Sequence, residues 1–169
     1  VAYNTRLVGE QPTSLTTNGM NSPALVLSDY GWEEDVFAAL SIPSAGIETP
    51  LYLGASRSNL VKGGVILGQT SLPIGGESTH CVIGGHRTWN AILHPFVSLE
   101  EVAVGDLVQI TNPWETLNYR VISTQTIYPD DLEQVRIQPG RDLLSIFTCT
   151  YPNTKRVLVT CERIYKEGD

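Results

Sequence analysis

The stretch Leu143-Leu144-Ser145-Ile146-Phe147-Thr148-Cys149, followed after six residues by Arg156-Val157-Leu158-Val159-Thr160-Cys161-Glu162-Arg163-Ile164, decides how the chain folds. Both runs are short, apolar and rich in β-branched residues, a composition that favours strands over helices. Strand alternation sends Leu144, Ile146 and Thr148 to one face and Ser145, Phe147 and Cys149 to the other. Tyr151-Pro152-Asn153 in the link is turn chemistry. A tight turn through residues 151–155 returns the chain antiparallel and brings Arg156 close to Cys149.

The same texture continues upstream. Strands are expected near residues 46–53, 65–67, 80–83, 107–111 and 119–128, with a helical turn within 90–101. Seven or eight short strands with few helices predict an all-β fold, a closed barrel or a sandwich. The first 40 residues differ. Residues 9–24 are polar, Gly/Pro-punctuated and without period, and read as loop. Asp29 to Leu40 reads as a short helix, with Glu33, Glu34 and Asp35 at its positive end and Val36, Phe37 and Leu40 as its buried stripe. No internal repeat is visible, and no boundary falls after residue 41. The expected organisation is an N-terminal appendage over 1–40 and one β-barrel domain over 41–169.

A length of 169 residues suits one domain with a full core. Hydrophobic residues at 41% and charged residues at 17% argue for a folded protein and against disorder. The net charge of −7, with only 11 cationic side chains, argues against nucleic acid as a partner. The longest apolar runs, such as Val157-Leu158-Val159, are far too short to span a bilayer, and no signal-peptide pattern stands at the start. Because the chain begins at Val1, it is expected to be an excised portion of something longer.

Three features carry chemistry. Cys149 sits where a strand gives way to a loop, so a rigid element holds it beside solvent. The alternative is a buried packing thiol, the ordinary fate of cysteine. His86, in Gly84-Gly85-His86-Arg87, follows two glycines at a strand end, where a substrate backbone has room to approach. With Cys149 it makes a candidate nucleophile pair, the alternative being a turn histidine. His80 and His94 are competitors without neighbouring glycines. Arg156 offers fixed, permanently charged donors suited to an oxyanion or a substrate carbonyl, the alternative being a strand-edge arginine. The other two of three cysteines, Cys81 and Cys161, fall in apolar strands and are expected to be buried thiols rather than a bridge.

These residues resemble a sortase, the cysteine transpeptidase family of Gram-positive cell surfaces. Ser145-Ile146-Phe147-Thr148-Cys149 is similar to the family's TLxTC signature, with Ser for the first Thr and Ile for Leu. Arg156 and His86 fall where the family has its arginine and histidine. The run Ser71-Leu72-Pro73-Ile74-Gly75-Gly76-Glu77-Ser78-Thr79-His80 is similar to the pilus-type class C, as are Tyr128-Pro129-Asp130-Asp131, Pro139-Gly140-Arg141-Asp142 and the opening Tyr3-Asn4. The turn between Cys149 and Arg156 is about two residues shorter than usual for the class, and Arg87 is followed by Thr88-Trp89 where the class tends to have Gly. No Asp-Pro lid anchor precedes Ser41; Asp29-Tyr30-Gly31-Trp32 is the nearest candidate, with Asp29 and Trp32 as its anchor residues.

The resemblance implies a sortase-type closed barrel. It implies that Cys149 cleaves an LPxTG-like sorting signal between Thr and Gly through a thioacyl intermediate, with His86 and Arg156 assisting. The acyl group would pass to a pilin lysine or a cell-wall precursor amine, and no cofactor would be needed. It further implies that the loop 129–140, through Leu132, Val135 and Ile137, together with Thr148, helps bind the signal; ordinary packing is the alternative for the loop residues. It places the native protein on the outer face of a Gram-positive membrane, with its tether removed from this chain. No metal is expected: Asp130, Asp131 and Glu133 read as a solvated turn. Anchoring of single proteins to the wall is the alternative within the family, and a non-catalytic β-barrel binding module the alternative outside it. With reference pKa values of about 8.5 for Cys and 6.5 for His, independent titration leaves roughly 1% of sites as thiolate with imidazolium at pH 7.

Overall fold

A computed structural model describes residues 36–165 except positions 55, 69, 90, 91, 94, 151 and 153. The elements in chain order are β1 (Val36–Ile42), β2 (Ile47–Leu53), α1 (Arg57–Lys62), β3 (Gly64–Ile66), β4 (Thr79–Gly84), β5 (Thr88–Trp89) and β6 (Ile92–Leu93). They continue with a 3-10 helix (Pro95–Glu101), β7 (Leu107–Thr111), β8 (Thr116–Ile127), a 3-10 helix (Leu132–Val135), β9 (Asp142–Cys149) and β10 (Arg156–Arg163). Eight strands close into a barrel in the order β1-β2-β3-β4-β9-β10-β8-β7, and β5 and β6 form a separate two-stranded ladder. The expected all-β barrel is therefore present. The β2–β3 and β4–β9 pairs are parallel, and the rest of the barrel is antiparallel.

Alternation along each strand divides the apolar residues between two clusters. One fills the barrel and includes Leu40, Ile42, Leu51, Ile83, Leu144, Ile146 and Val159. The 3-10 helix Pro95–Glu101 adds Phe96 and Leu99 to this interior. The second lies on the outer face of the β4–β9–β10 wall, where Val82, Phe147 and Leu158 meet Leu60 of α1 and Val135. All eight residues of β9 are buried, because the interior covers one face and these outer elements cover the other. The alternation expected for Leu143–Cys149 holds, with Leu144 and Ile146 inward and Phe147 outward.

One expectation is corrected. Residues 36–40 do not continue a helix from Asp29: they belong to β1, which pairs with β2 on one edge and β7 on the other. The register shifts between Val36 and Ala38, so the strand buries Phe37 and Ala38 in succession before resuming alternation at Leu40 and Ile42. Of the expected stripe, Phe37 and Leu40 are buried but Val36 is only half-buried, and Ala38 takes its place through the bulge; two ladders of backbone hydrogen bonds fix the strand. Because β1 begins at Val36, a barrel strand crosses the expected 40/41 boundary. Residues 29–35, with Asp29 and Trp32, lie outside the described residues.

Candidate active site

The parallel β4–β9 ladder and the antiparallel β9–β10 ladder bring three strand ends together. In the second, Arg156 is directly opposite Cys149. In the first, Gly84 is the last paired residue of β4, opposite Phe147, and His86 follows it by two residues. Two hydrogen bonds extend the ladder beyond β4: the Gly85 N–H donates to the Phe147 carbonyl (3.2 Å), and the Thr148 hydroxyl donates to the Gly85 carbonyl (2.8 Å). Arg156 and Cys149 are therefore neighbours across one strand spacing, about 4.8 Å, and His86 follows two residues after the end of β4, the strand on the other side of β9.

Facing follows from the same alternation. Cys149 shares the outward face of Phe147, and Arg156 that of Leu158. Cys149 and Arg156 are buried, and His86 is half-buried with its Nε2 atom enclosed. Arg156 Nη1 donates to the carbonyl of Lys155 (2.9 Å), which holds the guanidinium back against its own turn. That turn is tied off by Thr150, whose N–H donates to the Lys155 carbonyl (3.1 Å) and whose hydroxyl accepts from the Lys155 N–H (3.2 Å). Lys155 Nζ stands 5.3 Å from the centre of the exposed Tyr128 ring, linking this turn to the start of the 128–141 segment.

The two glycines before His86 serve a different purpose from the one expected. A Cβ at Gly85 would land on the Phe96 ring, and one at Gly84 would stand 2.7 Å from Phe147 Cζ. They admit neighbouring aromatic side chains rather than leaving room for substrate. Arg87 forms an ion pair with Glu100, so the 3-10 helix Pro95–Glu101 braces the residue before His86 through Phe96 and the residue after it through Glu100. A sequence signal for this bracing was available only in the Gly-Gly pair, whose need for space points to a bulky neighbour without identifying it.

The other predicted positions fall as follows. Thr148 is wholly buried and engaged with Gly85. Val135 is buried in the outer cluster and Leu132 packs against it, while Ile137 is half-buried. Cys81 and Cys161 are free buried thiols, and burial pushes both well above the ordinary thiol range. Each pairs with Leu144, from opposite sides, so their Cα atoms stand about two strand spacings, roughly 10 Å, apart, beyond disulfide reach. His80 turns away from Cys149 into a buried contact with Ser145, and His94 lies outside the described residues. Among the described residues no group of His, Cys, Asp and Glu gathers to hold a metal ion, and no helix is long and apolar enough to cross a membrane.

Comparison with known proteins adds to this geometry. The family described as "Sortase domain" matches residues 40–164. The structure is similar to sortase C-1 from Actinomyces oris, at a TM-score of 0.84 and 31% identity, covering 97% of this chain and 93% of that one. It is equally similar to the pilus-related sortase C of Group B Streptococcus, at a TM-score of 0.84 and 32% identity, covering 99% and 86%. Sortase A of Streptococcus agalactiae serotype III (strain NEM316) is 24% identical over 137 residues, 79% of this chain and 55% of that protein. The chain spans 55–59% of the length of the sortase A relatives from Streptococcus agalactiae, Bacillus anthracis and Staphylococcus aureus.

Proposed function

The chain belongs to the sortase family of cysteine transpeptidases, and from that premise we propose that it cleaves an LPxTG-like sorting signal between Thr and Gly and transfers the acyl group to an amine. What supports this reading is the pairing of Arg156 directly opposite Cys149, with His86 two residues past the end of the adjoining strand β4. Cys149 Sγ attacks the Thr carbonyl carbon, and the negative charge that develops on the oxygen falls to the Arg156 guanidinium. As the C–N bond breaks, an imidazolium at His86 protonates the departing glycine amine. In the second half His86 takes a proton from the incoming amine, which attacks the thioester and releases the Cys149 thiolate. One amide is exchanged for another, so no cofactor or energy source enters the balance.

Leu132, Val135 and Ile137 form the wall that receives the apolar residue of the signal, and Thr148 acts by holding the Gly85 backbone behind His86. Family members work at the surface of Gram-positive cells, and this chain acts there on surface proteins or pilins. The natural amine is a pilin lysine, a choice supported by the likeness to class C structures over nearly the whole chain. The similarity to a sortase A favours a second reading, attachment of single proteins to a cell-wall amine.

The test is exchange of an LPxTG peptide onto an added amine, followed by mass spectrometry. Wild type is expected to give the Thr-linked product and Cys149→Ala none. Equal product from both, or none from either, would make the barrel a binding module. Supplying a purified pilin then separates the two family readings, because polymerisation gives a ladder of covalent multimers and wall anchoring does not.

A further inference from the structure

His80 on β4 is almost wholly buried, at 1% exposure, and its backbone is fixed by exchange with Ser71. The His80 N–H donates to Ser71 Oγ (2.9 Å), and the Ser71 N–H to the His80 carbonyl (3.1 Å). Its ring points out of the barrel wall and touches two different elements. Nδ1 lies 2.8 Å from the Arg136 carbonyl oxygen, and Nε2 lies 2.6 Å from Ser145 Oγ. A carbonyl only accepts, so Nδ1 must carry a proton. Burial holds the imidazole down at about 4, so near neutral pH it carries no second proton, and Nε2 accepts from the Ser145 hydroxyl.

Both partners bear on the site. Arg136 immediately follows the 3-10 helix Leu132–Val135, between Val135 and Ile137. Ser145 lies four residues ahead of Cys149 on β9 and shares its face. The segment is also tied within its 3-10 helix by Gln125 to Gln134 (2.9 Å), and near its end by Arg141 to Glu162 (2.7 Å). His80 adds a tie at Arg136, and it alone of the three leads to β9, the strand that carries the nucleophile.

We propose that His80 is a positioning residue that sets the spacing between the 132–137 wall and Cys149, and through it the preference for the apolar residue of the acyl-donor peptide. This rests on the assignment of Leu132, Val135 and Ile137 to the signal-binding wall. The imidazole is matched to the task because it is rigid and presents a donor and an acceptor on opposite edges. Loss of the Nδ1 contact removes the link from the wall to β9 at Arg136, so the wall shifts about its remaining ties at Val135 and Gln134, while β4 and β9 stay paired through their backbones.

Two amide variants separate the two edges. Asparagine places its amide near the Nδ1 position and keeps the Arg136 contact; glutamine reaches the Nε2 position and keeps Ser145 instead. Steady-state transpeptidation is measured with an LPxTG peptide and with its Leu→Ala analogue, alongside the rate of Cys149 alkylation by iodoacetamide. His80→Gln is expected to raise KM for the Leu peptide and shrink the Leu/Ala preference, each about tenfold, the scale of one buried hydrogen bond. Its alkylation rate stays at the wild-type value, and the conservative His80→Asn rescues both parameters. Equal losses in the two variants, or a fall in kcat with slowed alkylation, would overturn the proposal. Should His80→Gln fail to fold, the imidazole 15N spectrum of the wild-type chain decides: protonated Nδ1 is expected, and protonated Nε2 overturns it. Leu132→Ala and Ile137→Ala distinguish the two levels. If they leave the Leu/Ala preference untouched, the wall assignment has failed; if they shift it and His80→Gln does not, only the role of His80 has.

Discussion

Arg156 gains its place from one register position. It opens β10 opposite Cys149, the last residue of β9, and its Nη1 is already committed to the Lys155 carbonyl. That bond holds the planar fork in one orientation, so the guanidinium can meet an oxyanion without first being ordered. Lysine at this position keeps the charge but loses the fork, because an ammonium on a flexible stem cannot bond the turn carbonyl and an oxyanion in fixed directions together. Arg156→Lys is expected to lower kcat/KM for the peptide by about 10²–10³, the range seen when an oxyanion donor is removed. Unfolding midpoint in urea should change little, since the strand pairing is backbone. Activity within about threefold of wild type would remove Arg156 from oxyanion stabilisation. The two other thiols illustrate the opposite fate at this scale: Cys81 and Cys161 lie wholly inside the barrel, where burial disfavours the thiolate that chemistry needs.

Among the elements, the 3-10 helix Pro95–Glu101 matters beyond its seven residues. It inserts Phe96 under Gly85 and pairs Glu100 with Arg87, so the loop bearing His86 is held from both sides. Gly85→Ala would drive a methyl group into the Phe96 ring, with an overpacking cost of about 1–3 kcal/mol. Phe96→Leu removes the obstructing ring edge, so the double variant is expected to be more stable than the sum of the single losses predicts. A denaturant double-mutant cycle reads this directly, and strict additivity would show that Gly85 and Phe96 are not in the packing contact described. Such contacts also mark how far the sequence could be read. The Cys149–Arg156 neighbourhood was legible because a short turn links the two and local spacing sets their register. His86 could be named as a partner only from its residue type, its glycine-flanked strand end and the family resemblance, because no local spacing links it to Cys149: the nearest paired residues of the parallel β4–β9 ladder, Gly84 and Phe147, are 63 positions apart. Residues 36–40 read as helix because Val36, Phe37 and Leu40 break strand alternation, which a bulge between Val36 and Ala38 also does. The Gly-Gly pair announced close approach, while only the folded chain shows that aromatic rings are what approach.

At the scale of the barrel, the two ends of β9 carry different chemistry. At the end opposite Cys149, the buried Asp142 carboxylate accepts hydrogen bonds from the Gly76 N–H and the hydroxyls of Thr79, Tyr119 and Tyr165, and pairs with Arg163. One register step from that end, opposite Leu143, sits His80, whose burial lowers its pKa from 6.5 to about 4 in the folded chain; the Arg136 carbonyl opposes that shift and the nearby Arg141 charge adds to it. The sign of the resulting linkage is fixed. Above pH 6.5 neither folded nor unfolded imidazole holds the extra proton, and the full stability is present. Between 6.5 and 4 the unfolded chain takes up a proton that the folded chain refuses, so stability falls as pH falls. The slope approaches 1.4 kcal/mol per pH unit for one proton, and the total reaches about 3 kcal/mol by pH 4. Carboxylates elsewhere titrate over part of the same range, so the contribution of His80 is isolated by difference. His80→Asn keeps the Arg136 contact and has nothing to titrate. Urea unfolding free energies measured at intervals from pH 7.5 to 4 are therefore expected to decline less steeply in this variant, by close to one proton's worth of slope. Parallel curves for the two proteins would mean that His80 enters the folded barrel no less protonated than it is in the unfolded chain, and that the buried imidazole bonded to Arg136 and Ser145 is not neutral.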